Sequence, residues 1–236
     1  YLGHAEPPGL DEQFAEYSKL LAAFTGKRVL ARVLDLDFDK PLPFLREAGQ
    51  GKYANRGLQV LLANPEVLST QLAALAKAQK ANPATDLWVM APMVLSVDEA
   101  HRFAELARAA GLRKVGVMIE VPELAEPGVI EGIIEAVDFI SIGTNDLTHY
   151  ALGKSRHSAG DGAVAGTITL AETRRPEVMS IIERVITAAR LAGKPVGICG
   201  ESASDPESAK LFIALGADSL SASASLLPQL KAALLA

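Results

Sequence analysis

Three short segments close apolar runs with groups able to do chemistry: Gly116-Val-Met-Ile-Glu120, Ser141-Ile-Gly-Thr-Asn-Asp-Leu-Thr148 and Gly197-Ile-Cys-Gly-Glu201. Each reads as a buried strand that stops and at once presents a carboxylate, an amide or the one thiol of the chain. Side chains leaving successive parallel strands at the same end converge on one point, which is how a β/α barrel assembles an active site. Glu120 and Asp146 are two hard oxygen donors. Such a pair suits Mg²⁺, which takes one or two protein carboxylates and completes its shell with water and substrate oxygens. Asn145 stands beside Asp146 and can hydrogen-bond a phosphate. Asp146 alone reads equally well as the cap of a turn, a common use of Asn-Asp pairs. Cys199 lies between Gly197 and Gly200, which permit close approach of a ligand, so its thiol could deliver a proton to carbon of an enol-type substrate. The plain alternative is an inert core cysteine.

The cation candidates are Arg32, Arg56 and Arg156. Arg32 sits inside the apolar run Val29-Leu-Ala-Arg-Val-Leu-Asp35. A buried arginine there must find an anion, and Asp35 competes with any ligand for that role. Guanidinium forks match phosphate and carboxylate geometry. Taken singly, each arginine reads as a salt-bridge partner; taken together near strand ends, they imply a small multi-anionic substrate. His4, His101, His149 and His157 are scattered without metal-ligand spacing. His101 falls on a helix surface, and His149 follows the acidic motif and could line a pocket. Met90-Ala-Pro-Met93 reads as core filling.

The elements that must position these groups alternate. Strands are expected at Tyr1-Leu2, 28–36, 56–62, 87–91, 114–120, 138–143, 195–199 and 218–222. Helices are expected over 11–25, 65–80, 97–110, 127–136, 176–192, 206–215 and 224–234. The apolar spacing of Phe14, Tyr17, Leu20, Leu21 and Phe24 supports the first helix. Asn64-Pro65 reads as a helix start, and Gly111 and Gly216 read as helix stops. Segment 153–175 is too long for a plain connection and reads as functional or mobile. Eight strands alternating with helices in 236 residues predict a closed (β/α)₈ TIM barrel occupying 1–236 as a single domain. An open doubly wound sheet is the runner-up, but no Gly-x-Gly-x-x-Gly turn supports it.

The composition agrees with α/β. The chain is 49% hydrophobic and only 5% aromatic, so Ala, Leu, Val and Ile must fill the interior, as parallel strands covered by helices require. A net charge of −5 argues against a general nucleic-acid binder. One cysteine excludes an internal disulfide framework and a thiolate zinc cluster, and fits a reducing cytoplasm. No apolar run has the length of a membrane span and no signal peptide opens the chain. The expectation is a protein of the cytoplasm that binds neither membrane nor nucleic acid.

With these motifs in place, the chain resembles the C-terminal phosphoenolpyruvate-binding domain of Enzyme I of the bacterial sugar phosphotransferase system. More broadly it resembles the phosphoenolpyruvate-utilising family that includes pyruvate phosphate dikinase and phosphoenolpyruvate synthase. The resemblance runs in order from Glu12-Gln-Phe-Ala-Glu-Tyr17 through Arg32-Val-Leu-Asp35, Asp39-Lys-Pro-Leu-Pro43 and Met90-Ala-Pro-Met93. It continues through the three strand-end segments to Ser219-Leu-Ser-Ala-Ser223. It implies a phosphoenolpyruvate/pyruvate-binding (β/α)₈ barrel that forms a homodimer. It implies Glu120 and Asp146 as Mg²⁺ ligands, Asn145 as a phosphate contact, and Arg32, Arg56 and Arg156 on the phosphate and carboxylate. Lys40 matches a lysine near the phosphate, and Cys199 the residue that protonates the enolpyruvate methylene carbon. The phosphoryl group would pass to a histidine on a separate domain absent from this chain, and onward to the phosphocarrier protein. A start within the first strand fits excision from such a longer protein.

Some positions depart from the family pattern. His4 stands where the family has an arginine, and Asp37-Phe38 where it has a small pair. Asn55 replaces a tryptophan, and Ser155 an acid. Unit charges ~4 Å apart interact by about 4 kcal/mol at an effective dielectric of ~20, so an inward Asp37 would oppose a phosphate. The alternatives are therefore a degenerate barrel serving dimerisation or regulation, the matching domain of a dikinase or synthase, and a Mg²⁺-dependent lyase or aldolase.

Overall fold

A computed structural model describes residues 6–36, 42–48, 53–155, 164–165 and 168–235. The expected strand at Tyr1-Leu2 lies outside these residues, as do His4, Asp37, Phe38, Lys40 and Arg156. The chain divides into two compact units, one of 1–94 with 98–117, the other of 95–97 with 118–236.

In the first unit, helix α1 (Leu10–Ala23) precedes strand β1 (Arg28–Arg32). Helices α2 (Gly57–Ala63) and α3 (Pro65–Ala81) lead to strand β2 (Asp86–Ala91), then helix α4 (Val97–Ala109) and strand β3 (Val115–Ile119), whose last two residues belong to the second unit. β1 runs parallel to β2 with Arg32 opposite Met90, and β2 parallel to β3 with Ala91 opposite Val117. β3 is buried along its whole length and β2 in all but its first residue, which is why both read as unbroken apolar runs. α3 buries Val67, Leu68, Leu72 and Leu75 along one face. A polar ladder ties it to α1: Gln71 Nε2 donates to Tyr17 OH at 3.0 Å, and Tyr17 OH to Gln13 Oε1 at 3.2 Å.

In the second unit, helix α5 (Val129–Ala136) leads to strand β4 (Phe139–Gly143), which passes directly into helix α6 (Thr144–Ala151). Two-residue strands β5 (Lys154–Ser155) and β6 (Val164–Ala165) pair with each other, followed by the single turn α7 (Leu170–Thr173) and helix α8 (Pro176–Leu191). Strand β7 (Val196–Cys199), helix α9 (Pro206–Leu215), strand β8 (Ser219–Leu220) and helix α10 (Leu227–Leu235) complete it. β4 runs parallel to β7, with Gly143 opposite Cys199, and β7 parallel to β8. α5 buries Ile130, Ile133 and Ile134, and α8 buries Val178, Ile182, Val185 and Ile186, at the 3.6-residue spacing that makes one helix face apolar.

The closed (β/α)₈ barrel is not what the described residues form. Six strands (β1, β2, β3, β4, β7 and β8) make up the parallel sheet, and β5 and β6 form a separate pair. The α/β character and the parallel pairing hold, but among the described residues the sheet has six strands and not eight. The expected strand over 56–62 is helix α2. Its apolar residues Leu58, Leu61 and Leu62 recur at helical spacing, and a run this short carries no decisive period of its own. Asn64 does not cap α3 with its side chain. Its amide donates to Val60 O at 2.8 Å and Arg46 O at 2.9 Å, and accepts from Arg46 N at 2.9 Å, clamping the end of α2 to the preceding loop.

Candidate functional site

Glu120 is the first residue beyond β3 and only 3% exposed, in the second unit. Its carboxylate lies against the backbone of Gly143, the last residue of β4. A Cβ at Gly143 would stand 2.5 Å from Glu120 Oε1 and 2.6 Å from its Cγ, closer than atoms can come. Gly143 has φ −90°, open to any residue, so it is space and not backbone conformation that demands glycine here. The sequence gives no sign of this contact.

The Asn145-Asp146 pair, expected at a strand end, belongs to the first turn of α6. Asp146 is 8% exposed there, in the part of a helix that favours a carboxylate through the unpaired N–H groups of its first turn. Thr144 Oγ1 donates to Cys199 O at 2.8 Å, and Ser202 Oγ donates to Thr144 Oγ1 at 2.7 Å. Asn145 Oδ1 accepts the N–H of Glu201 at 3.0 Å. These contacts fix the start of α6 against the end of β7.

Cys199 closes β7 and is half-buried, not sealed in the core. Its Sγ lies 3.5 Å from Ile142 O and 3.7 Å from Ser141 Oγ. Gly200 follows with φ +106°, a conformation that favours glycine. A Cβ there would fall 2.3 Å from Thr144 Oγ1 and 2.8 Å from Asn145 Oδ1. The structure thus brings together Glu120 with the end of β4, and Asn145 and Cys199 with the junction of β7. A cleft of about 660 Å³ opens alongside, lined in part by Asn145, Gly200, Glu201, Ser221 and Ser223.

Thr144, Ser202 and Gly143 are the site residues that sequence reasoning missed. Their signal was faint: a glycine and a threonine wedged between an apolar strand and an Asn-Asp pair, and a serine just past Cys-Gly-Glu. Among the described residues no three His, Cys, Asp or Glu side chains cluster as a metal cage. The pair Glu120 and Asp146 fits an ion that takes few protein ligands and prefers oxygen, as Mg²⁺ does.

The arginines of the first unit are placed differently. Arg32 is not buried: its side chain is 40% exposed and pairs with Asp35 at 3.1 Å, so burial does not oblige it to hold an anionic ligand. Arg56 is buried, at 6% exposure, immediately before α2. Next to it Gly57 (φ +50°) packs so closely on Met93 that a Cβ would lie 2.2 Å from the methionine Cβ. Met93 is a fully buried core residue, as is His149 of α6 a buried one, whereas His101 lies exposed on α4.

Below α6, charge pairs brace the second unit. Lys154 Nζ bonds Glu172 Oε1, and Thr169 N–H donates to Glu172 Oε2 at 2.9 Å. The Lys154 hydrogen bond and then the Thr169 N–H hold the Glu172 carboxyl down to about 2. Arg174 Nη1 donates to Asp205 Oδ2 at 2.6 Å. Burial pushes the Asp205 carboxyl up, but hydrogen bonds from Ser208 and the Arg174 charge outweigh it and hold it below its ordinary value. Among the described residues no helix is long and apolar enough to cross a membrane.

The family described as "PEP-utilising enzyme, PEP-binding domain" matches residues 1–236. The phosphoenolpyruvate-protein phosphotransferase of Streptomyces coelicolor is 40% identical over 233 residues, 98% of this chain and 40% of that protein. The protein of the same name from Haloferax volcanii is 35% identical over 247 residues, 99% of this chain and 42% of its own. The chain spans about two-fifths of the length of these relatives. A solved aldolase/citrate lyase family protein from Burkholderia cenocepacia aligns over 94% of this chain and 89% of its own at 17% identity, with a TM-score of 0.48, too low to assign a shared fold.

Proposed function

Because the chain belongs to the PEP-binding domain family of PEP-utilising enzymes, we propose that it binds phosphoenolpyruvate with Mg²⁺. Its phosphoryl group then passes to a histidine on a separate domain and pyruvate is released. Glu120 and Asp146 would hold the ion, which neutralises phosphate and carboxylate oxygens as charge shifts during transfer. Asn145 has its oxygen engaged by the Glu201 N–H, so the other end of the amide is a donor, the polarity a phosphate oxygen needs. Arg56, Arg32, Arg156 and Lys40 are the cations for the phosphate and carboxylate of the substrate. As the P–O bond breaks, the phosphoryl group leaves for the histidine nitrogen and the enolate of pyruvate remains. Cys199 Sγ–H then protonates the methylene carbon, and the thiolate recovers its proton from water.

The observation that carries this reading is the lacing of three strand ends within one unit. Glu120 lies on Gly143, Gly143 faces Cys199 in register, and Asn145 bonds the residue two beyond Cys199. We further propose a place in sugar phosphotransfer within the cytoplasm, with a phosphocarrier protein downstream and the chain acting as a homodimer. Relatives named as phosphotransferases support this part. Calorimetric titration with phosphoenolpyruvate, with and without Mg²⁺, tests the reading. Binding should require the ion and vanish in Glu120→Gln. Binding that is indifferent to both would overturn it and favour a divergent relative without the metal chemistry.

A further inference from the structure

The hydrogen bonds around α6 close into a ring that neither the family match nor the proposed chemistry assigns. At its first turn, Asn145 and Thr144 hold Glu201 N–H and Ser202 Oγ, at the start of the short 3₁₀ turn Glu201–Ser204. That turn ends at Asp205, which caps α9 by accepting Ser208 N at 3.0 Å and Ser208 Oγ at 2.7 Å. Asp205 in turn receives Arg174 Nη1 at 2.6 Å. Arg174 directly follows α7, whose last residue Thr173 accepts a buried hydrogen bond from Thr148 Oγ1 at 3.2 Å. Thr148 is back on α6, one turn beyond Asn145. The circuit therefore grips α6 at its first two residues and again one turn on at Thr148, and Arg174–Asp205 is its one charge-paired link.

α6 carries Asp146 and Asn145, so its tilt sets where both side chains point. A single turn such as α7 has too few internal hydrogen bonds to hold its own position. Arg174 spreads over three partners from the α9 start: Asp205, Ser208 Oγ at 3.2 Å and Glu207 Oε2 at 3.1 Å. A planar fork held this way fixes orientation as well as distance. We propose that Arg174 is a positioning residue: through Asp205 on one side and Thr173–Thr148 on the other, it holds α6 at the orientation in which Asp146 meets the metal. The metal part of this rests on the function proposed above; the bracing of α6 does not.

The test compares the wild-type chain with Arg174→Gln, Arg174→Lys, Glu120→Gln and Arg184→Gln. Arg184 pairs with Glu126 at 3.0 Å in the same unit, away from the ring, and controls for loss of an ordinary ion pair. Two quantities are read: affinity for Mn²⁺ alone by electron paramagnetic resonance, and hydrogen–deuterium exchange of peptides covering 144–151. Arg174→Gln should weaken Mn²⁺ by about tenfold, the lower end of the scale at which outer partners tune a metal site, and should speed exchange across 144–151. Arg174→Lys should recover part of both, and Arg184→Gln should match wild type in both. Exchange in Arg174→Gln equal to that of Arg184→Gln would overturn the proposal. So would faster exchange with Mn²⁺ affinity unchanged, because α6 would then be braced without positioning the ligand. If wild type binds no Mn²⁺, or binds it equally in Glu120→Gln, it is the proposed function that fails, and exchange alone decides whether Arg174 braces α6.

Discussion

The two compact units supply opposite kinds of group by opposite means. In the second unit the carboxylates, amide and thiol sit at element ends, and main-chain contacts fix them: Glu120 against Gly143, Asn145 on a backbone N–H, Thr144 on the carbonyl of Cys199. In the first unit the cations are side-chain affairs. Arg32 is part-exposed with its own Asp35 in attendance, and Arg56 is buried beside a glycine that admits no side chain. The difference teaches where precision is stored. Under the proposed function, the groups beside the ion and the enolate would be held by short links to backbone. The cations proposed for the phosphate differ between themselves, Arg32 on a part-exposed stem and Arg56 packed in the core.

That contrast can be broken at its hardest points first. Gly57→Ala places a methyl 2.2 Å from Met93 Cβ on a backbone with φ +50°. It should cost about 3 kcal/mol of stability, read by chemical denaturation, while metal affinity per folded molecule stays at the wild-type value. Gly143→Ala should do the reverse. Its Cβ must displace the Glu120 carboxylate, and Mg²⁺-dependent binding of phosphoenolpyruvate should weaken by about a hundredfold, with a smaller loss of stability. If both alanines damage binding alike, the division of labour between the units is wrong.

Smaller substitutions sharpen the comparison. Asn145→Ala removes the amide donor proposed for the phosphate and should cost about 1–2 kcal/mol of binding free energy by calorimetry. Arg32→Gln, at a side chain 40% exposed, should cost no more than about 1 kcal/mol. A larger penalty at Arg32 than at Asn145 would show that the exposed cation matters more than the backbone-held amide.

The smallest effect is one of pH. Glu172 has its carboxyl lowered from 4.5 to about 2 by Lys154 and Thr169, so the bond stabilises the folded state fully above pH 4.5. Its contribution fades as pH falls from there through about 2, where the folded carboxyl protonates. Pepsin cleavage within 164–175 should rise across that window, and Glu172→Gln should remove the dependence.

Much of this molecule was legible in its sequence, for identifiable reasons. β2, β3 and β4 were each an apolar run cut off by proline or a polar residue, and buried parallel strands leave that signature whatever surrounds them. Helices α3, α5, α8 and α9 declared themselves by period and by punctuation such as Pro65 and Gly216. Helix α2 did not, because seven residues with four of them aliphatic fit either period. The closed barrel was inferred by counting that run and Tyr1-Leu2, which lies outside the described residues, as strands. Burial of Arg32 was misread because β1 alternates exposed and part-buried positions, which an all-apolar neighbourhood conceals. At the site, Glu120, Asn145, Asp146 and Cys199 were visible as chemistry out of place in apolar runs. The contacts that hold them were not: Glu120–Gly143, Thr144–Cys199 and Arg174–Asp205 join residues of common type that are distant in sequence, and only the fold brings them together.

The central claim is that the second unit handles the enolate of pyruvate, with Glu120 and Asp146 holding the ion and Cys199 moving the proton. It can be tested without any phosphoryl acceptor, because the proton step runs in reverse from pyruvate. The chain would be incubated with pyruvate and Mg²⁺ in deuterium oxide, and loss of the methyl proton signal followed by nuclear magnetic resonance. The account predicts exchange above the solution background that requires Mg²⁺ and is lost in both Cys199→Ala and Glu120→Gln. Exchange that persists in Cys199→Ala at the wild-type rate, or no exchange by the wild-type chain at saturating pyruvate and Mg²⁺, would contradict it.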